Sequence, residues 1–168
     1  YDIIATSSIF TIQTRMHFEL AKIAKKVSND SGKKILVVSG GVNARALREH
    51  FLSNGFDIVA LADGEKTIVQ IVEEFRKEKP NYHNVDRIAF RDGDKTRVTA
   101  AAIQKGAKFI DYLPNPAVEA MPLQVYADLG MPHWGLPVAG KKLSSLKTAR
   151  GCQDKCTFCH IALEKEER

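Results

Sequence analysis

The chain has 168 residues, 44% hydrophobic and 27% charged, a soluble globular composition long enough to bury a real core. Its net charge of +5 is spread as Lys25-Lys26, Lys33-Lys34, Lys141-Lys142 and singles alternating with acids, with no aromatic-interleaved basic cluster, so a solvated surface is expected and no nucleic-acid partner. No run approaches the roughly 18 apolar residues of a membrane span, and "YDIIATSSIF" lacks the basic start of a signal peptide, so neither a membrane nor secretion is expected.

Taken in chain order, "DIIATSSI" (residues 2–9) is a short β-branched run ending in hydroxyl residues, the pattern of a buried parallel strand. Ile12, Met16, Leu20, Ile23 and Val27 follow at spacings of three and four, the apolar stripe of a helix that "NDSG" ends. The unit then repeats. "KKILVVSGG" predicts a second strand, "NARALREHFLSNG" a helix ending before Gly55, "FDIVALADGE" a third strand and "KTIVQIVEEFRKE" a third helix. Alternation at this length predicts an α/β fold with a doubly wound, Rossmann-like parallel sheet.

After Pro80 the pattern changes. "VDRIAFRDGDKTRVT" places an Asp-Gly turn at 92 and 93 between two alternating runs and predicts a β-hairpin. Five of the six prolines and the single tryptophan, Trp134, fall between 107 and 142. That density breaks regular elements and predicts an ordered, irregular connector with one short helix near Leu123–Leu129. Phe109, Ile110, Tyr112, Leu113, Trp134 and Leu136 among the prolines predict a packed segment, since a flexible tether would lack them. "KLSSLKTARGC" then reads as a strand leading into a loop that holds all three cysteines of the chain. The expected organisation is a wound domain over 1–80, hairpin and connector over 81–143, and the start of another domain over 144–168.

Two kinds of site are expected. In open parallel sheets ligands lie outside the carboxyl ends of the strands, here "TSSIFT", "VSGGVN" and "LADGEKT". Ser7, Ser8 and Thr11 carry hydroxyls, Gly40 and Gly41 allow close backbone approach, and Asp63, Gly64 and Glu65 open a helix. Glycines and serines of this kind also simply turn strands into helices, and no three-glycine dinucleotide fingerprint is present. The second site is the loop "RGCQDKCTFCH", spaced Cys-x3-Cys-x2-Cys. Three thiols in one loop suit metal or cluster ligation better than disulfides, and so a reducing, cytoplasmic compartment. A structural zinc would take His160 as fourth ligand beside Cys152, Cys156 and Cys159, although adjacent ligands strain a tetrahedron. An iron-sulfur cubane needs only the three thiolates and leaves one iron open to chemistry.

The cysteine spacing, with Phe158 just before the last cysteine, resembles the signature of the radical S-adenosylmethionine enzymes. The resemblance implies a 4Fe-4S cluster on Cys152, Cys156 and Cys159, an open iron that chelates S-adenosylmethionine, reductive cleavage to a 5′-deoxyadenosyl radical, and Phe158 near the adenine. It also implies that "SSLKTARG" is the first strand of a partial (β/α) barrel. "IIATSSIFT", "ILVVSGG" and "FDIVALADGE", then the hairpin, the proline-rich connector and the cysteine loop, resemble the cobalamin-binding members of that family. There the first segment (Ser7, Ser8, Thr11) contacts the nucleotide tail of cobalamin, the double glycine makes room for it, and the third segment lines its pocket.

The chain departs from that pattern in beginning at what looks like the third strand, and with Tyr1 rather than Met. It is expected to be an excerpt, with two βα units upstream and a barrel downstream. No Asp-x-His-x-x-Gly motif for a lower cobalt ligand occurs at its five histidines. The resemblance implies a cobalamin-dependent radical enzyme, most often a methyltransferase at an unactivated carbon, with a small-molecule or peptide substrate and a flavodoxin or ferredoxin as electron donor. No catalytic side chain is identified, and these residues alone are expected to be inactive. A radical methylthiotransferase acting on RNA or protein is the alternative enzyme, though its α/β domain usually holds a second cluster and no cysteine precedes Cys152. A non-catalytic α/β ligand-binding module with a zinc or cluster knot at its end is the alternative outside enzymes.

Overall fold

The computed structural model describes residues 1–100, 113–129 and 156–158. The chain forms two compact units, Tyr1–Gln104 and Lys105–Arg168. In the first, a five-stranded sheet is ordered β1 (Ile3–Ser7), β2 (Leu36–Gly40), β3 (Ile58–Ala60), β4 (Ile88–Asp92), β5 (Lys95–Val98). The first three strands are parallel, as the βαβα alternation predicts. The expected hairpin is not a separate piece. β4 joins β3 antiparallel and β5 extends the same sheet, so the sheet is mixed and its unit continues past the expected boundary at residue 80. Asp92 pairs with Lys95, which makes Gly93 and Asp94 the two-residue loop, one position later than expected, with Gly93 at φ 60°.

Helices cover both faces, as winding requires. α1 (Thr14–Ser31), α2 (Val42–Ala46) and α3 (Arg48–Ser53) pack on the face of Val37, Val59 and Ala89 through Ala21, Ala24, Ala44, Phe51 and Leu52. α4 (Gly64–Phe75) places Ile71 on the other face with Leu36, Val38, Ile58, Ile88 and Phe90. Phe51 is fully buried, its ring 5.1 Å from both Phe18 and Phe56, and each such pair adds about 0.5–1.5 kcal/mol beyond area burial. The single helix expected over 43–54 is two short ones broken at Leu47, whose φ of −105° and ψ of 29° leave the helical region.

α1 departs from the sequence reading in its orientation. Ile12, Met16, Leu20, Ile23 and Val27 are exposed, Ile12 at 91%. The opposite face is buried instead, through Thr14, Ala21 and Ala24, because small side chains let the helix axis approach the sheet. Gly32, left-handed at φ 66°, ends the helix where "NDSG" predicts.

In the second unit, Pro122 precedes the short helix α5 (Leu123–Asp128), as expected, and Ala127 is buried. The expected strand of residues 142–152 and most of the connector, with Phe109, Ile110, Tyr112, Trp134 and Leu136, lie outside the described residues.

Candidate functional site

The parallel register sets the carboxyl ends of β1 and β2 side by side, Ser7 opposite Gly40. Ser8 takes the ladder one step further, donating its N–H to the Gly40 carbonyl at 2.8 Å. Its own carbonyl then accepts from the Asn43 N–H at 3.1 Å, tying the exit of β1 to the first turn of α2. The Asn43 side chain, only 6% exposed, completes the tie. Its Nδ2 donates to Ser8 Oγ at 2.9 Å and to Thr14 Oγ1 at 2.8 Å, while its Oδ1 accepts from Thr11 Oγ1 at 3.0 Å. One layer below, Thr6 Oγ1 donates to the fully buried Ser39 Oγ at 3.2 Å. Buried polar groups of this kind are stabilising only when paired, and these are.

Each expected contact residue now has a position. Ser7 and Thr11 are exposed at the rim. Ser8 is fully buried and its hydroxyl is committed to Asn43, so it belongs to the support of the rim rather than its surface. The two glycines differ. A Cβ on Gly40 would meet only Ala60 Cβ at 3.7 Å, ordinary contact. One on Gly41 would stand 2.4 Å from the Ser8 carbonyl oxygen, at a φ of 89°. Gly41 is therefore required by the turn itself, and a bulky residue there would disturb the fold before it reported on any ligand. Asp63 directly precedes α4, Gly64 has nothing within 4 Å of its Cβ position, and Glu65 is half-buried. Asn43, Thr14, Ser39 and Thr6 did not stand out in the sequence. The available signal was a lone amide just after a double glycine and a threonine on an otherwise apolar helix face.

Charged groups are also paired at the other end of the sheet. Asp57, just before β3, pairs with Lys25 at 2.6 Å and accepts the Val37 N–H at 2.8 Å. Glu74, near the end of α4, is 5% exposed and accepts from Lys77, the Asn81 N–H and Asn84. Those hydrogen bonds, Lys77 first, hold its carboxyl below the ordinary value of 4.5. Burial, with Asp57 and Glu74 nearby, pushes the Tyr82 hydroxyl up to about 12. A surface recess of about 480 Å³ also lies at this end, lined by Lys22, Lys25, Lys26, Ser53, Asn54 and Gly55. It is far along the strands from the glycine turns and is not the candidate site.

Of the three cysteines, Cys156 is described: its thiol is free and exposed. Phe158 is 91% exposed. Cys152 and Cys159 lie outside the described residues. Among the described residues no three His, Cys, Asp or Glu side chains are grouped to hold a metal, and no helix is long and apolar enough to cross a membrane.

No family model matches the chain. It is 26% identical over 178 residues to cytidylyl-2-hydroxyethylphosphonate methyltransferase of Streptomyces wedmorensis, an alignment covering 94% of this chain and 32% of that relative. Among solved structures, 70% of the chain superposes on 16% of OxsB, a cobalamin-dependent S-adenosylmethionine radical enzyme with aqua-cobalamin bound, at a TM-score of 0.60 and 19% identity. The form that also binds S-adenosylmethionine gives 0.59. The resemblance to cobalamin-binding radical S-adenosylmethionine enzymes is borne out. The likeness to OxsB is one of fold, and the chain spans about a third of the curated relative's length.

The described residues fit the groups such an enzyme carries. Cobalamin is large and amide-rich, and the rim offers the exposed residues Ser7 and Thr11 with Gly40, which meets only Ala60 at ordinary contact distance, and Gly64, with nothing within 4 Å. For a cluster, the exposed thiol of Cys156 is open to ligation, and its two companions follow from spacing alone.

Proposed function

We propose that this chain is part of a cobalamin-dependent radical S-adenosylmethionine enzyme, with residues 1–104 contributing to the cobalamin site and the cysteine loop holding a 4Fe-4S cluster. The observation that carries this reading is the alignment with one methyltransferase over 94% of the chain, far more than the α/β unit of residues 1–104 alone. When bound, the cluster would supply the electron that cleaves S-adenosylmethionine, and cobalamin would supply the methyl group delivered to an unactivated carbon. The chain's part is to hold these groups. Cys152, Cys156 and Cys159 provide thiolates, Phe158 faces the adenine, and Ser7, Thr11 and Gly40 meet the cobalamin tail, with Asp63, Gly64 and Glu65 at the third strand end. The substrate class is a small molecule or peptide, and a flavodoxin or ferredoxin in a reducing cytoplasm supplies the electron.

The test is the spectrum of the reduced cluster in the anaerobically reconstituted full-length protein. S-adenosylmethionine should perturb it, because an open iron gains an amino and a carboxylate ligand. A cluster capped by His160 has no vacancy, and an unchanged spectrum would rule the open iron out.

A further inference from the structure

We infer that Asn43 is a positioning residue for the cobalamin rim: it touches no ligand, yet fixes the three chain segments that do. This rests on the cobalamin reading above. The segments are the exit of β1 at Ser8, the approach to α1 at Thr11 and Thr14, and the exit of β2 that carries Asn43 itself. A primary amide suits this place because it has two N–H donors and a carbonyl on one planar group. Both donors are used, on Ser8 and Thr14, and the carbonyl takes Thr11. The Asn43 backbone N–H adds the fourth link, to the Ser8 carbonyl.

The amide acts across a contact that is already tight. Gly41 lies so close to the Ser8 backbone that no Cβ fits between them, so a shift in Ser8 would carry the β2 turn with it. Asn43 and Ser8 are buried, at 6% and 0% exposure, which keeps both off the ligand surface. Ser7 and Thr11, at the rim, are each one bond or one residue away from a group the amide holds. A ligand arriving at such a rim meets loops that are ordered in advance, and the ordering entropy is not charged against binding.

The test is hydroxocobalamin affinity of the full-length protein, measured well below the melting temperature of each variant. Asn43→Ala should weaken binding about tenfold or more, as loss of a supporting hydrogen-bond partner does at other cofactor sites. Thr14→Val, nearly isosteric and 9% exposed, removes one acceptor and should weaken binding about threefold, the scale of one hydrogen bond. The double variant should bind no worse than Asn43→Ala, because both changes break one network. Leu52→Ala, a core truncation in α3, should lower the melting temperature without changing affinity, which separates positioning from general stability. Wild-type affinity in Asn43→Ala overturns the inference, as does full additivity in the double variant. Should Asn43→Ala fail to fold, wild-type affinity in Thr14→Val overturns it and a threefold loss sustains it. Absence of cobalamin uptake by the wild-type protein would instead sink the cobalamin reading, and this inference with it.

Discussion

The two ends of the parallel strands are held by different physics. At the amino ends, charges do the tying: Lys33 to Asp2 and Lys25 to Asp57. At the carboxyl ends of β1 and β2 a network of hydroxyls, one amide and the backbone, centred on Asn43, joins the chain segments. At the carboxyl end of the third strand, Lys66 pairs with Asp86 at 3.2 Å. Half-exposed ion pairs are strong anchors only at low salt and moderate pH, whereas a buried neutral network keeps its geometry across both. The hydroxyl and amide network around Asn43 is therefore the part of the proposed cobalamin rim whose geometry depends least on salt and pH.

Breaking the carboxyl end should cost most. Gly41→Ala combines a left-handed backbone with a collision against Ser8, and should destabilise by about 3 kcal/mol or more in denaturant unfolding. Next comes the amino end. Asp57→Ala removes the Lys25 partner and leaves the Val37 N–H without its acceptor, and should cost about 1–2 kcal/mol. Asp57→Asn retains an acceptor and should lose less, with the difference shrinking in high salt.

The acid limb sharpens the contrast further. Glu74 has a folded pKa below its ordinary 4.5, so its contribution is fully present above that value and is lost as pH falls through the folded pKa. Glu74→Gln should flatten the fall in stability below about pH 4.5, while Thr14→Val should shift the whole curve without changing its shape. The smallest effect is expected from Gly40→Ala, whose Cβ has ordinary room. It should stay within about 1 kcal/mol of wild type. That makes Gly40, rather than Gly41, the position at which a larger side chain probes ligand approach.

The legible parts of the fold were those written in local pattern. β-branched runs marked β1, β2 and β3, the Asp-Gly pair marked the hairpin to within one residue, and "NDSG" marked the end of α1. What periodicity could not tell was which of two apolar faces of α1 meets the sheet. Ile12, Met16 and Ile23 carry more apolar surface than Ala21 and Ala24, yet the alanines are buried because only they allow close packing. Ser8 was readable as a hydroxyl near the site, but its commitment to Asn43 depends on a partner 35 positions away. Gly41 was readable as a glycine with a purpose. That the purpose is contact with Ser8, not with a ligand, is a tertiary fact with no local signature. The cysteine loop is a reading from spacing alone, because three thiols in one loop need no distant partner to be noticed.

The most direct measurement is the iron, sulfide and cobalamin content of the full-length protein after anaerobic reconstitution, beside a variant with Cys152, Cys156 and Cys159 all replaced by Ala. The wild-type protein should hold about four irons and four sulfides at this site, as cluster type dictates, together with bound cobalamin. The triple variant should lose the iron and keep the cobalamin, since the two sites draw on different residues. Zinc without iron or sulfide in the wild-type protein, or cobalamin absent from both, would contradict the account.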